Sequence, residues 1–400
     1  MSLFVLPNEL LHEIIDHLGV KDLGACTRVS LILKDIAGPR YMTALKFSPV
    51  RRFWASVDEK NCEALLVWRR MTNFTCPSNI YCSLFNAKDS HLRALGIFFE
   101  SPQCANIPTA YLSCFGGTES LAATATLLAS IRASGCQSLS YSARSDPSAP
   151  CVTSFPKSSR ATPTQFESFS SACNNVFSSP LLSFTLTTLR NSPLRELVLQ
   201  DTGLSPTMWA RLLRSLDLPL LLRLEVDPQC SVRTLLTFLQ RHSHIQSLCI
   251  SVYGESKKAR QSRPLPVHLP SLRALGGPSE YLKSLLQCLG QPSSVTALSV
   301  DLSNIKPGVP QISKVLDCAQ HLPHLRDISI SFHRNSSVVV PVTGLRVPKH
   351  EARTCGAIRL KISAAFDTVT DGQEEIVVCT VHTDVGHELI YFHRKSVHHG

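Results

Sequence analysis

One pattern constrains this chain more than any other. An apolar-x-x-apolar-x-apolar triplet recurs, each time followed by a stretch whose apolar residues fall three or four apart. The clear copies are Leu92/Leu95/Ile97, Leu194/Leu197/Leu199, Leu221/Leu224/Val226, Ile245/Leu248/Ile250, Val295/Leu298/Val300 and Leu325/Ile328/Ile330. A degenerate copy at Leu272/Leu275 meets Gly276-Gly277, expected to cut its strand short, and a weaker copy centres on Leu139. From Leu197 onward the middle positions are 197, 224, 248, 275, 298 and 328, so the steps are 27, 24, 27, 23 and 30. A period of about 26 residues suits one strand plus one helix. The runs 208–216, 232–241, 281–289 and 312–319 have helical spacing, and most end before Pro219, Pro292 or Pro323. Such a unit cannot bury its apolar face alone, but stacked neighbours bury it between them. The expected fold is therefore an α/β solenoid, an irregular leucine-rich-repeat-like array with parallel strands and helices over residues 91–332.

Three stretches interrupt or end the array. Residues 142–164 are rich in Ser, Pro, Ala and Thr and read as a flexible insertion. Residues 253–270 read as a basic, proline-containing loop. Residues 333–400 read as a loop followed by terminal strands, with alternation at Ile358/Leu360/Ile362 and 376–381 and a turn at Asp371-Gly372. Residues 46–90, which contain Arg51-Arg52-Phe53-Trp54 and Trp68-Arg69-Arg70, read as a helical connector.

Composition closes off several classes. With 44% hydrophobic and 18% charged residues the chain is not disordered, collagenous or a long coiled coil. Forty Lys+Arg against 30 Asp+Glu give +10, a charge spread too thinly for a dedicated nucleic-acid-binding domain. Fifteen cysteines cannot all pair internally, and no C-x-x-C spacing occurs, which removes zinc-ribbon and thioredoxin motifs. No apolar run reaches the roughly 18 residues of a membrane span. Pro7, Glu9, Glu13 and Asp16 are unlike a secretory leader. The expectation is a protein of the cytoplasm or nucleus with reduced thiols, in which the glycosylation sequons at 73–75 and 335–337 are incidental.

Residues 1–45 differ from the rest. Pro7 suits a helix start. Leu10, Leu11, Ile14, Ile15 and Leu18 form one helical face, and Gly19 suits its end. Asp22, Leu23 and Cys26 mark a second short helix. Ser30 caps a third with Leu31, Ile32, Leu33 and Ile36, stopped by Gly38-Pro39. Three short helices make a poor independent core and gain from a partner.

The order and spacing of Leu6, Pro7, Glu9, Leu10, Leu11, Ile14, Ile15, Leu18, Asp22, Leu23, Val29 and Ser30 resemble the F-box. Leu33 stands where the family often has tryptophan. An F-box followed by leucine-rich-like repeats resembles the substrate receptors of ubiquitin ligases. The resemblance implies a three-helix F-box that binds the Skp adaptor and, through it, a cullin scaffold. It also implies a C-terminal domain that holds an unknown protein substrate, while the lack of catalytic motifs and of a long apolar run leads to the expectation of no catalysis, cofactor or membrane contact. Leu6, Pro7, Leu10, Ile14, Leu18, Leu23 and Val29 are the candidate adaptor-binding residues, since they exceed what so small a trio can bury. The bland alternative is that they pack against residues 46–90.

Strand positions alternate in direction. On the side away from the helices, the array would present Glu196, Val198 and Gln200, then Arg223, Glu225 and Asp227. Ser247, Cys249 and Ser251 follow, then Ala297, Ser299 and Asp301, and lastly Asp327, Ser329 and Ser331. Glu196, Glu225, Asp227, Asp301 and Asp327 would give this face an acidic character against the net charge, a candidate site for a basic substrate segment. The bland reading is a solvated sheet surface.

Other chemistry lacks its full motif. Asp201-Thr202-Gly203 copies an aspartic-protease triplet without the second copy that reaction needs. His382, Asp384, His387 and His393 are close in sequence, yet a surface cluster explains them without a metal. No hydrolase elbow, P-loop or dinucleotide fingerprint occurs. The basic run Lys257–Arg263 reads as a solvated loop or an import signal. The rival readings are an adaptor-binding scaffold without a degradation role and a basic nucleic-acid-associated repeat protein.

Overall fold

A computed structural model describes residues 6–47, 54–72, 74–105, 107–115, 120–144, 164–251, 267–289, 293–301, 315, 319, 322, 324–334, 359–366, 376–383 and 386–393. The chain divides into two compact units, residues 1–204 and 205–400.

The first unit opens with three helices, α1 (Asn8–Asp16), α2 (Val20–Val29) and α3 (Leu31–Ala44). Strands and helices then alternate. They are β1 (Trp54–Val57), α4 (Cys62–Arg69), β2 (Asn79–Leu84), α5 (Asp89–Phe99), β3 (Thr109–Cys114), α6 (Leu121–Ala133) and β4 (Ser138–Ala143). After them come β5 (Ser168–Ala172), α7 (Leu181–Asn191) and β6 (Glu196–Gln200). All six strands are parallel and neighbour one another in sequence order. Ala55, Ile80, Ala110, Leu139, Phe169 and Leu197 lie side by side in register. All six are buried. The alternation of Cβ direction leaves every second residue on the other face half-buried or exposed, as the patterns of β1, β2 and β3 show. The Ser120 hydroxyl caps α6 by accepting from the Ala123 N–H at 3.1 Å.

The second unit repeats the plan with α8 (Pro206–Ser215), β7 (Arg223–Val226), α9 (Val232–Arg241), β8 (Ser247–Ile250), β9 (Ala274–Pro278), α10 (Ser279–Leu286), β10 (Ala297–Asp301), β11 (Asp327–Arg334) and β12 (Arg359–Phe366). These strands are again parallel and in sequence order. Leu224, Leu248, Leu275, Leu298, Ile328 and Leu360 share one register line. Five of these six are the middle positions of the recurring triplet. Ser205 and Ser231 cap α8 and α9, accepting from Met208 and Thr234 N–H groups at 3.3 and 3.2 Å. Trp209 and Phe238 are fully buried beneath the sheet. A two-stranded antiparallel hairpin, β13 (Ile376–Thr383) and β14 (Gly386–His393), stands after β12.

Three expectations need correction. The segment 46–90 is not a helical connector, because β1 and β2 lie in it and the strand–helix alternation starts at Trp54. Leu92/Leu95/Ile97 is not a strand. It lies on α5, where three-residue spacing is equally a helical face: Leu92 and Leu95 are buried and Ile97 is 39% exposed. Gly276-Gly277 do not shorten β9, which runs through them. Gly277 has φ +145°, and a Cβ there would stand 2.8 Å from the Ile250 Cβ, so glycine lets this strand approach β8. Most of 142–164, 253–270, 333–356 and 312–319, with Asp371-Gly372, lies outside the described residues.

Candidate functional site

Two residue pairs on α1, one position apart, divide between core and surface. Pro7 caps α1 from outside, and its carbonyl accepts from the Leu11 N–H at 3.1 Å. Leu11 and Ile15, four apart, enter a core with Leu23, Leu33, Ile36, Ala37 and Tyr41. Leu10 and Ile14, one position earlier, stay 45% and 44% exposed. Leu6 and Leu18 are half-buried at the edge of that core. Gly24 keeps α2 close to α3, since a Cβ there would meet the Tyr41 ring at 2.9 Å. The extended Ser30 ends α2 and starts α3, its hydroxyl accepting from the Leu33 N–H at 3.1 Å. This sharp join leaves its neighbours outside: Val29 is 68%, Leu31 70% and Ile32 52% exposed.

The underside of the trio is occupied. The Tyr41 hydroxyl donates to Glu63 at 3.4 Å, Phe47 meets the Trp68 ring edge-on at 5.6 Å, and Gly38 lies against Met71 and Val67. Burial, then the Glu63 charge, raises the Tyr41 pKa. Asp16 and Arg40 tie α1 to α3, and the Arg40 guanidinium also donates to the Ile36 carbonyl at 3.0 Å. The hydrogen bond from Arg40 holds the Asp16 carboxyl below its ordinary value.

Of the seven candidate adaptor-binding residues, Pro7, Leu10, Ile14 and Val29 are exposed and Leu6 and Leu18 are half-buried. Leu23 is a correction: at 5% exposure it belongs to the internal core. Leu31 and Ile32 are two further exposed apolar residues that the seven candidates do not include, and spacing within the third helix gives no sign of which of its apolar residues face outward.

The candidate substrate face is less uniform than the alternation implied. Glu196 and Asp301 are half-buried and Asp327 is exposed. Glu225 and Asp227 are 9% and 2% exposed, so they are not solvated. β7 ends at Val226, and Asp227 enters a turn closed by the Cys230 N–H on its carbonyl at 3.0 Å. Glu225 registers with Cys249. Burial first, then the Glu225 charge, pushes the Cys249 thiol up to about 12, while Arg223 opposes the shift. Arg223 is the one basic residue among these outward positions, so the two most buried carboxylates share their segment with a cation.

The remaining sequence candidates fall partly within the described residues. Asp201 and Gly203 have φ +48° and +65° in a turn directly after β6. His382 and His387 are register partners across the β13–β14 hairpin, while Asp384 and the basic run 257–263 lie outside the described residues. Among the described residues no group of three or more His, Cys, Asp or Glu is placed to hold a metal, and no helix is long and apolar enough to cross a membrane.

A comparison with curated proteins finds no match. A scan of family models matches residues 3–38 to the F-box domain. The matched stretch contains α1, α2, the Ser30 join and the start of α3, including the exposed Leu10, Ile14, Val29, Leu31 and Ile32. The chain carries an F-box domain at residues 3–38.

Proposed function

We propose that this chain is the substrate-receptor subunit of a Skp–cullin–F-box ubiquitin ligase, acting in the cytoplasm or nucleus. An F-box domain implies binding of a Skp adaptor. The observation that carries the reading is the exposed apolar set Leu10, Ile14, Val29, Leu31 and Ile32 on a unit whose own core is closed and whose underside already rests on α4. Burying each such side chain fully contributes roughly 1.5–3 kcal/mol. A partner surface is therefore the natural cover. The strand–helix stacks behind it are leucine-rich-repeat-like and hold the protein substrate. The chain performs no bond chemistry. It raises the effective concentration of substrate near the ubiquitin-conjugating machinery that the cullin brings.

Affinity capture of the full chain beside a Pro7→Ala/Leu10→Asp variant tests this. A Skp adaptor recovered with the intact chain and lost with the variant is the expected result. Equal recovery overturns the reading.

A further inference from the structure

Two cysteines of the first unit meet across adjacent repeats. Cys76 lies in the segment that enters β2, three residues before Asn79, and Cys104 in the segment that enters β3, five residues before Thr109. Asn79 and Thr109 are register partners, and the Thr109 N–H donates to the Ser78 carbonyl at 3.2 Å. The two approach segments therefore run side by side. The Cys104 thiol joins them by donating a hydrogen bond to the Cys76 sulfur. Each segment is held in place. Pro77 is buried behind Cys76, and Phe74 packs edge-on against Trp68 and Phe98, with centroids 4.9 and 6.3 Å apart. Cys104 ends a short 3-10 turn, Pro102–Cys104, and its N–H donates to the Ser101 carbonyl at 2.9 Å.

The surroundings give the two sulfurs different parts. Cys76 is half-buried and within reach of a small reagent, whereas Cys104 is fully buried. As a thiol, Cys76 donates to the Pro77 carbonyl at 3.7 Å. Once that proton leaves, the Cys104 donor steadies the thiolate, which lowers the Cys76 pKa. Arg69, bonded to the Ile97 carbonyl at 2.7 Å, brings a positive charge that favours the Cys104 thiolate in turn. Among the described residues two further cysteines are half-buried. Cys26 packs against the helical core, and Cys249 faces the Glu225 carboxylate, with burial and that charge pushing its thiol up to about 12. Cys62, Cys82 and Cys114 also neighbour one another, but all three are buried away from reagents in the folded chain.

We propose that Cys76 and Cys104 form a redox-modification site, at which a small hydroperoxide oxidises the pair reversibly to a disulfide. With hydrogen peroxide, the Cys76 thiolate attacks one oxygen, and an S–O bond forms as the O–O bond breaks. The hydroxide that leaves takes up a proton and departs as water. The sulfur has lost two electrons to the peroxide and stands as a sulfenic acid. Cys104 then gives up its proton, and its sulfur attacks the Cys76 sulfur. The S–S bond forms as the S–O bond breaks, and the released hydroxide leaves with the Cys104 proton as a second water. Two thiols and one hydrogen peroxide thus become one disulfide and two waters. A dithiol reductant reverses the change by exchange. The bridge closes residues 77–103, with β2 and α5, into a loop. It stands beside the Phe74–Trp68–Phe47 ring contacts on which the F-box helices rest. The site does not depend on the receptor reading above.

The full chain, reduced and then freed of reductant, is treated with hydrogen peroxide at neutral pH. Samples are quenched at intervals with iodoacetamide and digested without reduction. Trypsin leaves Cys76 on one peptide with Cys82 and Cys104 on one with Cys114, so fragment ions assign the bridge. The expected product is a Cys76–Cys104 disulfide that dithiothreitol removes, formed about tenfold or more faster than any oxidation at Cys249. Circular dichroism of the treated chain should match that of the untreated one. In Cys104→Ala, Cys76 should stop at a sulfenic acid that dimedone traps. In Cys76→Ser, Cys104 should remain a thiol. Oxidation of Cys26 or Cys249 while both thiols stay intact would overturn the proposal. So would a bridge to any other cysteine, a bridge formed only in guanidinium, or a Cys76 sulfenic acid that persists in the intact chain. These outcomes are read on the parent chain, so they hold whether or not either variant folds.

Discussion

The backbone N–H of Leu218 donates to Nε2 of His242, 24 residues further along the chain, at 3.0 Å. The other ring nitrogen, Nδ1, donates to the Phe238 carbonyl at 2.9 Å. The two partners fix the neutral tautomer: Nδ1 carries the proton and Nε2 accepts. The imidazole also stacks on Phe238, 4.1 Å between centroids. It links the last turn of α9 to the loop that leads into β7.

Protonation would turn Nε2 into a donor facing the Leu218 N–H. Burial lowers the His242 pKa most, and the Arg241 and His244 charges lower it further, while the Phe238 hydrogen bond and Asp217 oppose the shift. The unfolded value is about 6.5. A folded value below the unfolded one means the unfolded chain binds more protons, so stability rises with pH. The contribution is fully present above about pH 6.5 and is lost as pH falls through the lowered folded value. A His242→Gln variant should have a lower Tm at pH 8 and a smaller further loss on acidification to pH 5 than the parent. Parallel Tm–pH curves for the two proteins would refute this role.

The F-box helices separate stability from binding by one residue position. Leu11 is 3% exposed, so Leu11→Ala should cost about 2–5 kcal/mol of unfolding free energy. Ile14→Asp, at a site 44% exposed, should change stability by less than about 1 kcal/mol yet abolish adaptor capture. Denaturant melts and adaptor capture on both variants check this. An Ile14→Asp protein that melts like Leu11→Ala would mean that α1 packs with its other face inward.

The second unit was the legible half of this fold. Its middle positions Leu224, Leu248, Leu275, Leu298 and Ile328 are large and aliphatic, recur at roughly one strand-plus-helix length, and are register partners. The first unit uses Ala55, Ile80, Ala110 and Phe169 on the same line, with Cys82, Cys114 and Ser171 beside them. Small residues and thiols fill a tightly packed parallel sheet as well as leucine does, but they blur the triplet. A helix such as α5 then offers a better copy than the true strands. Leu10 against Leu11 was ambiguous because a trio this small could turn either adjacent pair inward. The buried state of Glu225 depends on neighbours 24 and more residues away, which alternation along a single strand does not register.

The cysteines give the last prediction. Among the described residues eleven cysteines stand outside any disulfide, and eight of these are buried. Burial pushes the Cys62 and Cys136 thiols up to about 12 and Cys173 up to about 11. Cys76 runs the other way. It is half-buried in the segment before β2, and a hydrogen bond with Cys104 lowers its pKa, while its partner is pushed up by the same contact and by burial. Thiolate is the reacting form, so Cys76 should be alkylated by iodoacetamide well before Cys62, Cys136 or Cys173 at neutral pH. Cys104→Ala should slow Cys76 by removing the donor that steadies its thiolate. Timed alkylation of the native chain, followed by peptide mass spectrometry, reads both effects. Equal rates at Cys76 and Cys62 before unfolding would show that this pair does not shape reactivity.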